Sequence, residues 1–307
     1  MKKVLIATEK PFAGKARDKT VAVLREAGYD VRVLESYKET SHLLEAVGDV
    51  DALIVRSDKV TDEVMAAAPE LKLVVRAGAG YDNIDCGAAK ARGITVMNTP
   101  GQNANAVAEL AIGMMVMAAR GKYDGRSGTE LKGKTLGLQA FGNVARRVAV
   151  IAARGFEMTV IAYDPFIPAD EMTRAGVTPV RSLDELYARS DYLSLHIPAT
   201  PETRGSIGYE LMKRMKPNAV LVNTARAEVI DEAGLLRVYE ERPDFKYVAD
   251  VAPGNKDEIL VCDGNRCFFT PKKMGAQTAE ANFNAGVAAA RQIVSFFEKG
   301  DTTYQVN

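Results

Sequence analysis

The chain of 307 residues is long for a single hydrophobic core and comfortable for two. Its 40 Lys and Arg residues balance 40 Asp and Glu, so a polyanion-binding surface, and with it a nucleic-acid partner, is not expected. No apolar run is long enough to span a bilayer, and Met-Lys-Lys leads into a strand pattern rather than a signal peptide. Cys86, Cys262 and Cys267 are odd in number and lack metal-ligand spacing, so a cytoplasmic protein with free thiols, no metal and no membrane partner is expected.

Short apolar segments at 3–8, 31–34, 52–55, 73–75 and 94–97 read as strands, with helical patterns such as 15–27 and 61–68 between them. Near-continuously apolar strands alternating with helices predict a parallel sheet covered on both faces. A turn at 98–101 follows, with Asn103 or Asn105 as cap to the run 104–119, which is apolar on nearly every side. That pattern predicts a helix buried between two domains. Further strands are predicted at 135–139, 159–163, 192–195, 220–223 and 247–251, and a long helical pattern at 283–297 returns the chain to its first domain. The expected architecture is α/β: two Rossmann-like domains with parallel sheets, a nucleotide domain (99–282) inserted in a flavodoxin-like domain (1–98 plus 283–307).

The richest stretch is 135–165, where a strand, a small-residue turn, a helix and a second strand end at an acid. Ala140-Phe141-Gly142-Asn143-Val144-Ala145 forms the turn. Ala140 stands where the first glycine of a dinucleotide-binding turn belongs, Gly142 is in place, and Ala145 is an accepted third member. Backbone N–H groups at the helix start suit a pyrophosphate, and Asp164 suits ribose hydroxyls. No Arg or Lys follows Asp164 to receive a 2′-phosphate, so the expected cofactor is NAD. Arg226, just past the strand 220–222, is placed to grip a carboxylate bidentately and polarise an adjacent carbonyl, and Asp250 closes the next strand.

Ordered motifs then extend over nearly the whole chain: Arg76-Ala-Gly-Ala-Gly80-Tyr-Asp-Asn-Ile-Asp85, Asn98-Thr-Pro-Gly-Gln-Asn103 and Val107-Ala-Glu109, followed by Leu131-Lys-Gly-Lys-Thr-Leu-Gly137. Beyond them lie Tyr163-Asp-Pro165, Ser194-Leu-His196-Ile-Pro198 with Thr200-Pro-Glu-Thr203, and Asn223-Thr-Ala-Arg226 with Asp231. In these the sequence resembles the D-2-hydroxyacid dehydrogenase family, and within it the branch acting on 3-phosphoglycerate. The resemblance implies NAD-dependent oxidation of 3-phosphoglycerate in serine synthesis. It assigns Ala77, Gly78 and Ala79 to the substrate carboxylate with Arg226, and Arg56, Ser57 and Asn103 to its phosphate. It assigns the cofactor to Phe141, Gly142, Asn143, Val144 and Asp164, with His196, Pro198, Thr203, Thr224, Ala225 and Asp250. It implies a homodimer formed through the nucleotide domain. Longer members carry a C-terminal serine-binding domain for which the sequence leaves no room, so feedback by that route is not expected.

Three departures stand out. Relatives use a histidine in Thr-Pro-His-Ile-Gly as proton donor and a glutamate five residues past the strand-end aspartate. Here the segment reads Thr270-Pro-Lys-Lys-Met-Gly275, placing Lys273 at the histidine, with Lys272 as its rival, and Asn255 stands at the glutamate, although Glu258 is close. The joint loss is coherent, because a lysine base, starting near about 10.4, is helped by burial and nearby cations and hindered by a carboxylate. The segment 121–128 is short and the chain has no Trp, which removes the arm that relatives place there. Ala140 is the third departure. Two other readings remain: another 2-hydroxyacid dehydrogenase of the glyoxylate or hydroxypyruvate reductase type, or a catalytically silent NAD-sensing interaction protein.

Overall fold

A computed structural model describes all 307 residues, which divide into two compact units: Met1–Asn103 with Gln277–Asn307, and Ala104–Ala276. In the first unit, β1 (Lys3–Thr8), β2 (Asp30–Glu35), β3 (Ala52–Val55), β4 (Leu73–Arg76) and β5 (Thr95–Asn98) form an all-parallel sheet in the order β2-β1-β3-β4-β5. Its helices are α1 (Gly14–Glu26), α2 (Thr40–Ala46), α3 (Asp62–Ala66) and α4 (Cys86–Ala91), joined by α12 (Ala279–Lys299). Alternation along β1 explains the apolar runs. Val4 and Ile6 point into a core with Ala289 and Ile293 of α12, while Leu5 and Ala7 point into a core with Leu43 and Val64 on the opposite face.

The second unit contains β6 (Thr135–Gln139), β7 (Thr159–Tyr163), β8 (Thr178–Pro179), β9 (Tyr192–Leu195), β10 (Val220–Asn223), β11 (Lys246–Ala249) and β12 (Cys267–Phe269). These make a parallel seven-stranded sheet in the order β12-β11-β10-β9-β6-β7-β8. The helices are α5 (Ala104–Ala119), α6 (Asn143–Phe156), α7 (Ala169–Arg174), α8 (Leu183–Arg189), α9 (Tyr209–Met212), α10 (Glu232–Glu241) and α11 (Lys256–Asp263). The all-round apolar helix α5 belongs to this unit. Ala108, Ala111, Met114, Met115 and Ala118 share one core with Leu136 and Leu138 of β6 and Val148 of α6. One face of the sheet needs cover there, and α5 supplies it together with α6. Asn105 lies inside α5, donating to Glu109 at 2.6 Å, and is therefore not its cap.

β11 stops at Ala249, leaving Asp250 just beyond the strand. The edge strands β8 and β12, of two and three residues, are too short to show a period in sequence. Ala140, at the first turn position after β6, has φ +74°, a left-handed conformation that an L side chain resists and glycine accepts. Ala140→Gly is accordingly expected to stabilise the protein by about 0.5–1 kcal/mol while leaving dinucleotide affinity intact. Denaturant midpoints and an NAD titration check this; a lower midpoint or a large loss of affinity would overturn it.

Candidate active site

Strand register gathers the site. Phe269, Ala249, Asn223, Leu195, Gln139 and Tyr163 are successive partners across the second sheet, all at the C-terminal ends of their strands. The next residue on each strand is Thr270, Asp250, Thr224, His196, Ala140 and Asp164. Six loops therefore start on one line, and the order reverses between β9 and β6, the switch point at which open α/β sheets bind ligands.

At that point α6 begins with Gly142 as its N-cap and no side chain bonded to its first-turn N–H groups, those of Asn143 and Val144 included. A Cβ placed on Gly142 would meet nothing within 4 Å, so the approach to those donors is open. Asp164 braces the turn, accepting from Phe141 N–H and Phe166 N–H, each at 2.8 Å, and stays half-buried. Two polar atoms on the same line, Thr224 Oγ1 and His196 Nε2, are buried with no hydrogen-bond partner. An open helix N-terminus, an adjacent carboxylate and orphaned donors or acceptors fit a dinucleotide. Burial pushes His196 down to about 4, so its imidazole is neutral at pH 7. Pro198 and Thr203 tie their own loop, the Thr203 hydroxyl donating to Pro198 C=O at 2.5 Å and accepting from Thr200 N–H at 2.7 Å.

Asn223 builds the arginine turn. It is buried, its amide donates to Arg226 C=O at 2.9 Å and to Tyr247 Oη at 3.1 Å, and its oxygen accepts from Ala225 N–H at 3.0 Å. Arg226 leaves this turn half-buried, with Nη1 donating to Ala225 C=O at 3.0 Å. Asp250, 1% exposed, organises the lysine loop: Oδ1 accepts from Thr270 Oγ1 at 3.0 Å and Met274 N–H at 2.7 Å, and Oδ2 from Gly275 N–H at 2.7 Å. Lys273 is thus carried on a clamped loop, but it is exposed, and the burial expected to favour its neutral form is absent. Glu258 is exposed in the first turn of α11, and Asn255 donates to Glu232 C=O at 2.8 Å.

The first unit presents its own strand-end line, Ala7, Val55, Arg76 and Asn98, followed by the loops expected to hold substrate. Arg56 follows β3 beside the switch point between β1 and β3. Its Nη1 donates to Lys10 and Pro11 C=O, both at 2.8 Å, its guanidinium lies 5.1 Å from the Phe12 ring centre, and burial lowers its pKa. Ser57 is exposed. Beneath them the fully buried Asp58 accepts from Glu9 N–H at 2.6 Å, Tyr37 Oη at 2.7 Å and Arg56 N–H at 3.0 Å. Gly78 has φ +153°, and a Cβ there would sit 1.4 Å from Arg76 Nη1, so the backbone of Ala77, Gly78 and Ala79 is shaped around that guanidinium. Asn98 donates to Ala79 C=O at 2.6 Å; Asn103 lies in the turn just before α5. Asp58, Arg76, Asn223 and Thr270 were not singled out in the sequence. Asn223 and Arg76 sit inside motifs that carry the resemblance, but Asp58 shows no signal beyond its position after a strand.

Comparison with known proteins agrees with this geometry. Residues 106–271 match the family profile "D-isomer specific 2-hydroxyacid dehydrogenase, NAD binding domain". A D-3-phosphoglycerate dehydrogenase of Methanocaldococcus jannaschii is 39% identical over 290 residues, 89% of this chain and 54% of that protein. A hydroxypyruvate reductase of Thermotoga maritima is 39% identical over 298 residues, 90% of this chain and 94% of that one. The crystal structure of NAD⁺-bound 3-phosphoglycerate dehydrogenase of Entamoeba histolytica superposes with a TM-score of 0.92 at 46% identity, covering 100% of this chain and 98% of that one. The chain spans about half the length of most of the curated relatives it matches. With a dinucleotide turn at the sheet's switch point, an arginine turn on the same line and a profile spanning more than half of its residues, this chain belongs to the D-isomer-specific 2-hydroxyacid dehydrogenase family.

Proposed function

We propose that the chain is an NAD-dependent dehydrogenase of 3-phospho-D-glycerate, oxidising the C2 hydroxyl to the ketone of 3-phosphohydroxypyruvate and feeding serine synthesis. The observation that carries this reading is the strand-end line of the second sheet, which sets the Arg226 turn beside the Asp250-clamped lysine loop and the dinucleotide turn in one register. NAD⁺, when bound, accepts the hydride. Asn143 and Val144 N–H groups, with Phe141 and Gly142, hold its pyrophosphate, Asp164 its ribose, and His196, Pro198, Thr203, Thr224, Ala225 and Asp250 line its remaining length.

Arg226 grips the substrate carboxylate and polarises the C2 oxygen, and Lys273 exchanges the hydroxyl proton. Arg56, Ser57 and Asn103 take the phosphate, with the backbone of Ala77, Gly78 and Ala79 against the carboxylate. His196, in the Ser194-Leu-His-Ile-Pro198 motif, is not taken as the proton carrier, and its burial makes it a weak base. The E. histolytica and M. jannaschii relatives, both named phosphoglycerate dehydrogenases, support the substrate. The reading includes a homodimer through the second unit, supported by the family resemblance.

Lys273→Ala and Lys273→Gln are expected to lower turnover by about 10²- to 10⁴-fold with NAD affinity kept, while Lys272→Ala retains turnover. NADH formation with NAD and 3-phosphoglycerate checks this, and near-normal rates in the Lys273 variants would exclude the role. The T. maritima relative, matched over nearly its whole length, favours a second reading, reduction of hydroxypyruvate or a related unphosphorylated acid. Arg56→Ala separates the two: loss of one charge-assisted contact raises KM for 3-phosphoglycerate by about 10- to 100-fold and leaves D-glycerate unaffected. No effect of Arg56→Ala would favour the second reading. NAD binding without turnover of either acid would identify a silent NAD-sensing protein.

A further inference from the structure

The second unit carries a groove that neither the dinucleotide turn nor Arg226 uses. It runs along β12, the edge strand of the sheet, encloses about 470 Å³, and is lined among others by Lys122, Lys256, Lys272, Leu260, Phe268 and Phe269. Thr270 N–H bonds inward to Ala249 C=O at 3.1 Å, so alternation turns the peptide groups of Cys267 and Phe269 outward along the groove. Lys122 Nζ closes one end, donating to Gly264 C=O at 2.8 Å and Cys267 C=O at 3.2 Å. It does so from a strained backbone: Gly121, Lys122 and Tyr123 are consecutively left-handed, at φ +57°, +57° and +61°.

The electrostatics of the groove are one-sided. Three lysines line it and no carboxylate does. The ammonium groups of Lys256 and Lys272 make no ion pair or hydrogen bond, and two acids near Lys122 are already committed, Asp263 to Arg266 at 3.0 Å and Asp124 to Arg126 at 2.5 Å. Most of the other lining side chains are apolar, Leu260, which is 46% exposed, Phe268 and Phe269 among them. The groove is also where this chain's departures from its family converge: the short segment after α5 supplies Lys122, the stretch lacking the glutamate supplies Lys256 and Leu260, and the lysine loop supplies Lys272.

We propose that this groove binds a small organic anion with an apolar body, the anionic group on Lys256, Lys272 and Lys122 and the body against Leu260, Phe268 and Phe269. Its volume suits such a ligand, and its charge selects for one. Thr270 and Lys272 form its wall on the peptide that Asp250 clamps and that continues into Lys273, so an occupant steadies the loop from outside.

Phenyl phosphate is a suitable probe, followed by thermal unfolding of the full chain with NAD saturating. The expected result is a saturable rise in Tm that needs about tenfold more ligand in Lys256→Glu, persists in Arg56→Ala, and is weaker with inorganic phosphate. Lys256 is an exposed helix residue, and Lys256→Ala, expected to weaken binding less than the charge reversal, guards against a folding artefact. The proposal is overturned by the absence of a saturable shift, by an equal shift in Lys256→Glu, by loss of the shift in Arg56→Ala, or by an equal shift with inorganic phosphate.

Discussion

A buried carboxylate that takes its donors from hydroxyl and backbone groups is the constraint on which the site rests. Asp250 accepts three bonds from a six-residue stretch, Thr270 to Gly275, and so fixes where the lysine loop leaves the sheet. The fit is close: a Cβ on Gly275 would lie 2.9 Å from Asp250 Oδ2 and 3.2 Å from Val107 Cγ2 of α5. An unpaired acid in such a place would be costly, and it is tolerated because each oxygen meets N–H or O–H groups aimed at it. The loop is therefore positioned by electrostatics and packing together, not by regular secondary structure.

The same device recurs at the other strand ends. Asp58, three residues past β3, holds the Arg56 loop through Glu9 N–H, Tyr37 Oη and Arg56 N–H. Asp164, one residue past β7, holds the dinucleotide turn through Phe141 N–H. All three aspartates follow parallel strands whose last carbonyls are already taken, Val55 by Ala77 N–H, Tyr163 by Ala140 N–H and Ala249 by Thr270 N–H, so what is left to satisfy is the N–H groups of the loops beyond. A short acid just beyond the strand satisfies N–H groups of a neighbouring loop without drawing on nearby guanidinium groups.

What was legible in the sequence follows the same physics. Strands such as 3–8, 135–139, 192–195 and 220–223 read directly, because burial on both faces writes an uninterrupted apolar run. β8 and β12 did not, since an edge strand of two or three residues has no period. The composition of α5 declared burial but not which surface buries it, because that depends on the uncovered face of a sheet formed later in the chain. Within the site, the arginine turn and the dinucleotide turn were readable from residue order. The exposure of Lys273 was not, since it depends on how Asp250 draws its loop in. Asn223 was seen as a motif letter, while its function as the brace of the Arg226 turn exists only once Tyr247 and Ala225 surround it.

The absent glutamate has a structural explanation in what replaced it. Asn255 uses its NH₂ to donate to Glu232 C=O at the start of α10. An ionised carboxylate at 255 has no proton to give and would face that carbonyl oxygen as a second acceptor, so the position serves the backbone in a way a glutamate does not. Glu232 in turn accepts from Gly254 N–H, fastening the 254–255 turn to α10. A histidine donor needs a nearby carboxylate to hold its tautomer and raise its affinity for the proton. The proposed lysine, on a long flexible stem, would need no such partner, and here Asn255 and Glu232 fasten the segment after β11 to α10 instead.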